Sequence, residues 1–154
     1  MEIEEITEFI ETLGGVLTLA PAPGSPFPEI AWGDRFFYYA PDAQIPTRTQ
    51  PFATIITKNY PDDTTSDLDR PEAFRLNIHA GRDAFVERLG HTPRETPAHP
   101  TDAAHRDTLI AHPVYATAGW LAVVNPATST EPAVRELLTA AHARARTNYL
   151  RNGS

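Results

Sequence analysis

The 154-residue sequence contains no cysteine, one methionine and a single lysine, Lys58. Without cysteine there is no disulfide framework, no thiolate metal ligand and no cysteine nucleophile. Long apolar runs are missing too, and none approaches the ~20 residues of a membrane-spanning helix. The opening stretch MEIEEITEFIE is acidic and amphipathic, the reverse of a secretory leader. These absences predict a cytoplasmic protein with no membrane partner. Positive charge is scarce as well: 13 Lys and Arg stand against 20 Asp and Glu, a formal net charge of −7. Duplex affinity draws on cations that displace counterions from phosphates, so nucleic acid is not an expected partner.

What is present is a domain-sized chain. With 41% hydrophobic and 21% charged residues, wholesale disorder is excluded. A chain of this length can bury roughly 70% of the surface its unfolded form exposes. We place one domain at residues 1–150 and a short tail at 151–154.

Apolar spacing predicts a first helix over Glu2 to Leu13, stopped by Gly14-Gly15. Strands are expected at Val16 to Ala20, Glu29 to Trp32, Arg35 to Tyr39, Phe52 to Lys58, Phe74 to His79 and Trp120 to Val124. The two strands flanking Gly33-Asp34 read as a hairpin or bulge. Aromatics on both sides of the pleat make Arg35 to Tyr39 a central strand covered on both faces. Arg82 to Leu89 reads as a short helix, 91 to 108 as a long structureless loop and potential lid, and the last helix starts near Thr130. Strands grouped between terminal helices imply an α+β fold. A mainly antiparallel sheet of about five strands is expected, with the first and last helices on one face through Ile6, Ile10, Leu137 and Leu138.

Five segments carry a resemblance: PEIAWGDRFFYYAP, PFATIITKNYP, SDLDRPEAFRLNIHAGRDAF, AHPVYATAGWLAVVNP and VRELLTAAHARA. Together, over about residues 1 to 146, they resemble a bacterial family of domains of unknown function, typical of actinomycete genomes. More distantly, the element order and the tail GWLAVVNP…VRELLTAAHARA are similar to the MmcQ/YjbR-like group. That resemblance implies an α+β fold with an antiparallel sheet. The group is sometimes labelled DNA-binding, but this chain has no basic run to match the label.

The densest chemistry lies in Phe74-Arg75-Leu76-Asn77-Ile78-His79. Strand alternation sends Phe74, Leu76 and Ile78 to a core and Arg75, Asn77 and His79 to the other side. Beside them Thr54 and Lys58 extend a face suited to a carboxylate or phosphate. The plain alternative is a solvated polar sheet face. Trp32, Tyr38 and Trp120 add aromatic walls, and with Arg75, Asn77 and Lys58 they make the expected ligand site. An arginine buried beside a lysine needs an acidic residue or a ligand for charge balance. On this reading Arg75→Ala weakens binding of an anionic ligand far more than it lowers the melting temperature.

Catalytic candidates are His79, His112, Asp34 and Lys58, as a general acid–base set. Asp34 and His112 would act as a pair only where the tip at residues 33–34 meets the loop before the last strand. Otherwise Asp34 fixes its turn and His112 caps a loop. Histidine spacing predicts no metal site, and Asp62, Asp63, Asp67 and Asp69 read as loop and cap residues. No phosphate loop or dinucleotide fingerprint is present, so no cofactor is expected. A small-molecule binder is the first reading. A small acid–base enzyme of bacterial metabolism is the second.

Overall fold

The computed structural model describes residues 1–152. Three α-helices and six strands form an α+β fold: α1 (Ile3–Thr12), β1 (Val16–Leu19), β2 (Arg35–Tyr39), β3 (Ala53–Ile56), β4 (Arg75–His79), α2 (Arg82–Leu89), β5 (Leu109–Ala111), β6 (Trp120–Val124) and α3 (Glu131–Asn152). Two short 3₁₀ turns occupy Glu29–Ala31 and Ala116–Ala118. The sheet is open, ordered β1-β2-β3-β4-β6-β5, with every neighbouring pair antiparallel. None of the described helices is long and apolar enough to cross a membrane.

Pleat alternation gives the sheet two unlike faces. Phe37, Ala53, Ile55, Leu76, Ile78, Leu121 and Val123 share one core with Ile6 and Ile10 of α1, Phe85 of α2, and Val134, Leu137 and Leu138 of α3. The opposite, open face carries Phe36 and Tyr38 from β2, Thr54 and Ile56 from β3, and Arg75, Asn77 and His79 from β4. Trp120 and Val124 of β6 complete it. Part of it is roofed by the segment between β3 and β4, whose Leu68 and Ala73 pack on Ile56 and Val124.

Five departures from the sequence reading follow. The sheet has six strands because three residues, Leu109–Ala111, leave the long 91–108 stretch to pair as an edge against β6. Glu29 to Trp32 is a 3₁₀ turn, with the Trp32 amide donating to the Glu29 carbonyl at 3.0 Å, so no hairpin spans Gly33-Asp34. β2 lies second from the edge, its outer neighbour β1 half-buried throughout. β3 stops at Ile56 because the Thr57 amide turns to the Asp34 carboxylate, 2.8 Å away, instead of to a neighbouring strand. α3 continues to Asn152, through the first half of the expected tail, and residues 153–154 lie outside the described residues.

Two turns are built on glycine. Gly90 closes α2 in the left-handed region (φ 80°), its amide donating to the Val86 carbonyl. The Gly119 carbonyl accepts from the amides of Ala80 and Gly81, both at 3.1 Å, and a Cβ at Gly119 would come within 3.0 Å of the Gly81 Cα. The loop from β5 to β6 is thereby pinned against the end of β4.

Candidate functional site

The open face contains a cavity of about 550 Å³. Phe36, Tyr38, Thr54, Ile56, Arg75, Asn77 and Trp120 supply its floor from four adjacent strands. Its rim comes from four connections: Pro28, Ile30 and Ala31; Gln50 and Pro51; Tyr60, Asp62 and Asp63; and His112, Val114 and Tyr115. Ile30, Val114 and Tyr115 are large apolar side chains left exposed at this mouth.

Arg75 is the polar centre of the floor and is 0% exposed. Its Nη1 and Nη2 donate to the two carboxylate oxygens of Asp63 at 2.9 and 2.5 Å. Nη1 also donates to Ser66 Oγ at 3.0 Å, and Nε to Asn77 Oδ1 at 2.7 Å. Asn77 Nδ2 in turn donates to Thr54 Oγ1 at 2.9 Å, across the β3–β4 register that pairs these two residues. Burial pushes the Asp63 carboxyl upward, but the Arg75 pair outweighs it and holds Asp63 below the ordinary carboxylate value. The charge balance that a buried arginine requires is thus met by an acidic residue of the chain.

His112 faces this cluster from the β5–β6 loop and is 4% exposed. Its Nε2 lies 3.2 Å from Arg75 Nη2, while Nδ1 accepts the amides of Val114 and Tyr115, both at 3.0 Å. Burial, reinforced by the Arg75 charge, pulls its pKa down from 6.5 to about 3 despite Asp63 nearby. The imidazole is therefore neutral around pH 7.

A second polar cluster closes the end of β3. The Asp34 carboxylate, 0% exposed, accepts from the Thr57 amide and hydroxyl, from Lys58 Nζ at 2.8 Å and from the Tyr60 hydroxyl. Lys58 Nζ also donates to the Trp32 carbonyl at 2.6 Å. Burial and Asp34 together push the Tyr60 phenol well above its ordinary value.

A model of a family described as "Family of unknown function (DUF6194)" matches residues 1–154. The chain belongs to that family. No curated protein and no solved structure matches it. Membership in DUF6194 carries no assigned chemistry, so the roles of its residues here rest on geometry.

Of the ligand-binding candidates, Arg75, Asn77, Tyr38 and Trp120 line the cavity, whereas Lys58 and Trp32 are not among its lining residues. β3 ends two residues before Lys58, so strand alternation does not carry its ammonium to the open face, and Asp34 claims it instead. Trp32 lies with its indole N–H buried and without an acceptor among the described residues. Of the catalytic candidates, only His112 lines the cavity. His79 stacks on Trp120 at 5.2 Å, its Nε2 3.2 Å from the Ala118 carbonyl, and burial and Arg144 lower its pKa. Asp34 and His112 do not pair: each faces a different set of partners. The 91–108 loop contributes nothing to the lining and packs elsewhere, its Ala104 carbonyl accepting from Arg70 at 3.0 Å.

Sequence reasoning missed Asp63, which reads as a loop aspartate, and did not bring His112, a catalytic candidate, to Arg75. The alternative that His112 caps its loop matches its bonds to the Val114 and Tyr115 amides. Only the need of Arg75 for a counter-charge pointed to Asp63. His142, at the edge of the apolar stripe of α3, is a core histidine with Nε2 2.7 Å from the Gly14 carbonyl. Among the described residues no three or more metal-ligating side chains converge.

Proposed function

We propose that this chain binds a small, mostly apolar molecule in the open-face cavity. One observation carries the reading: a fully buried arginine in the floor meets a nearly buried histidine from the β5–β6 loop in an aromatic-walled concavity, with Ile30, Val114 and Tyr115 exposed at its mouth. Small-molecule sites are commonly apolar pockets of ~300–1,000 Å³ with a few convergent polar groups. A purely solvated sheet face has no use for a guanidinium withdrawn from water.

Catalysis is the weaker reading. General acid–base work calls for a group titrating near the working pH. His112 is pulled to about 3, and Lys58 and Asp34 are bonded to each other away from the lining. The excess of 20 acidic over 13 basic residues favours a partner other than nucleic acid. The antiparallel α+β sheet is in keeping, at the level of fold alone, with distant kinship to the MmcQ/YjbR-like group.

The test is a ligand-observed NMR screen of neutral aromatic fragments against the wild-type chain and Ala31→Trp. Ala31 lines the rim, so an indole there narrows the mouth without replacing a residue of the sheet. Hits should weaken at least tenfold in the variant while its melting temperature stays close to wild type. Equal binding to both proteins, or no binding to either, would count against the cavity as a site.

A further inference from the structure

Three donors from the chain converge on the ring of His112: the Val114 and Tyr115 amides on Nδ1, and Arg75 Nη2 on Nε2. A neutral imidazole has one acceptor nitrogen and one N–H. With the ring proton on Nδ1, two amide donors would face a donor. With it on Nε2, both amides are satisfied by the Nδ1 lone pair and one conflict remains, against Arg75. The proton therefore belongs on Nε2. Two buried N–H groups, His112 Nε2–H and one of Arg75 Nη2, then meet across 3.2 Å with no acceptor from the protein between them.

The surplus of donors extends along the floor. Arginine cannot accept, so the Arg75 Nε bond fixes the Asn77 amide with Oδ1 toward Arg75 and Nδ2 toward Thr54. Thr54 Oγ1 accepts there, which leaves its hydroxyl hydrogen and the second Asn77 N–H to be placed. The bidentate carboxylate of Asp63 already offsets the guanidinium charge, and Asp62 adds a second negative group to the rim.

Resting on the cavity as a binding site, we propose that its guest presents an uncharged hydrogen-bond acceptor, a carbonyl carried on an aromatic or similarly flat apolar body, to the junction of Arg75 and His112. The oxygen sits beside the Arg75–His112 contact and gives its donors the acceptor that the chain does not supply there. The body lies among Phe36, Tyr38, Tyr115 and Trp120. An anion meets the same donors but also the carboxylates of Asp62 and Asp63. A hydrocarbon of the same shape leaves both donors buried and unpaired, which is the costlier outcome for a polar group.

Two measurements on the intact chain test this. Long-range ¹H–¹⁵N spectra of the unliganded protein should show His112 protonated on Nε2 only, and a proton on Nδ1 would overturn the proposal. Three isosteric probes are then titrated: 2-acetylnaphthalene, 2-naphthoate and 2-isopropenylnaphthalene. The ketone should bind about tenfold tighter than the alkene, tighter than the carboxylate, and shift the His112 Nε2–H resonance. Equal affinity of ketone and alkene, or preference for the carboxylate, overturns the carbonyl proposal but leaves the cavity as a binding site. Binding by none of the three overturns both. Because these readouts use the wild-type chain, they do not depend on a His112 variant that folds.

Discussion

The Asp34 and Arg75 clusters are built from similar materials: one charged side chain withdrawn from water, one ion-pair partner and neutral hydrogen-bonding groups. They differ in their count of donors and acceptors. Asp34 offers about four lone-pair sites, and Thr57 supplies two donors while Lys58 and Tyr60 supply one each. That cluster is closed and holds the end of β3 to the turn before β2. Around Arg75 the donors outnumber the acceptors, and the surplus faces a cavity. A satisfied network fastens the fold; on the proposed function, a short one leaves a position for a guest.

Removing charge from each cluster sharpens the contrast. The largest effect is expected for Asp63→Asn, which strands a fully buried guanidinium. A cost of about 3–5 kcal/mol is typical of breaking such a pair, and denaturant unfolding reads it directly. By the same logic Arg75→Ala is a destabilising change, which reverses the expectation that it would spare the melting temperature. Asp34→Asn comes next, at about 2 kcal/mol for lost charge-assisted bonds. Of its cluster only Tyr60 reaches the lining, at the rim, so the surviving folded protein should bind probes of the cavity floor close to wild type. A binding defect larger than the stability defect would erase the distinction between the two clusters.

Acid separates them further. The unfolded chain protonates His112 near 6.5, whereas the folded chain resists until about 3. Stability is therefore fully present above pH 6.5 and declines as pH falls toward 3, by up to about 1.4 kcal/mol per pH unit from this one group. His79, also lowered, acts in the same direction from 6.5 downward, and Asp63 adds its loss below the ordinary carboxylate value. His112→Gln should flatten the slope between pH 6.5 and 4 in chemical denaturation. An unchanged slope would place the acid sensitivity elsewhere. The smallest effect is expected at the exposed Arg35–Glu4 pair, 2.7 Å apart, where Glu4→Ala should cost less than about 1 kcal/mol. It calibrates what an ion pair contributes when neither partner is buried.

Local pattern accounts for much of the fold. The alternation of Phe74 to His79 put Arg75 and Asn77 on the face opposite Leu76 and Ile78, and Gly90 marked the end of α2. β5 escaped notice because three residues carry no period. The turn at Glu29–Ala31 was read as a strand because two helical bonds, from the Ala31 amide to the Pro28 carbonyl and from Trp32 to Glu29, span too few residues to leave a period. The site was legible only in its strand half. Strand parity also assigned His79 to the open face, yet its cross-strand neighbour Trp120 takes it up by stacking. Asp63 and His112 reach Arg75 across 12 and 37 residues of chain, and both are delivered by loops. No spacing rule links them, since loop closure depends on the whole sheet being assembled first.

The contact between Gly119 and Gly81 makes the cavity's doorway asymmetric. On one side the loop bearing His112, Val114 and Tyr115 is bolted at its end, with the His112 amide donating to the Trp120 carbonyl at 3.0 Å and the Gly119 carbonyl held twice by β4's exit. Across the mouth, residues 41–50 are almost wholly exposed, and among the described residues only Ala43 and Gln44 have amides bonded within the protein. Segments with few buried contacts and solvent-facing amides open at little free-energy cost. On the proposed function, a molecule entering the cavity would push against one fixed post and one yielding one, so the direction of its approach would be set before any contact with Arg75.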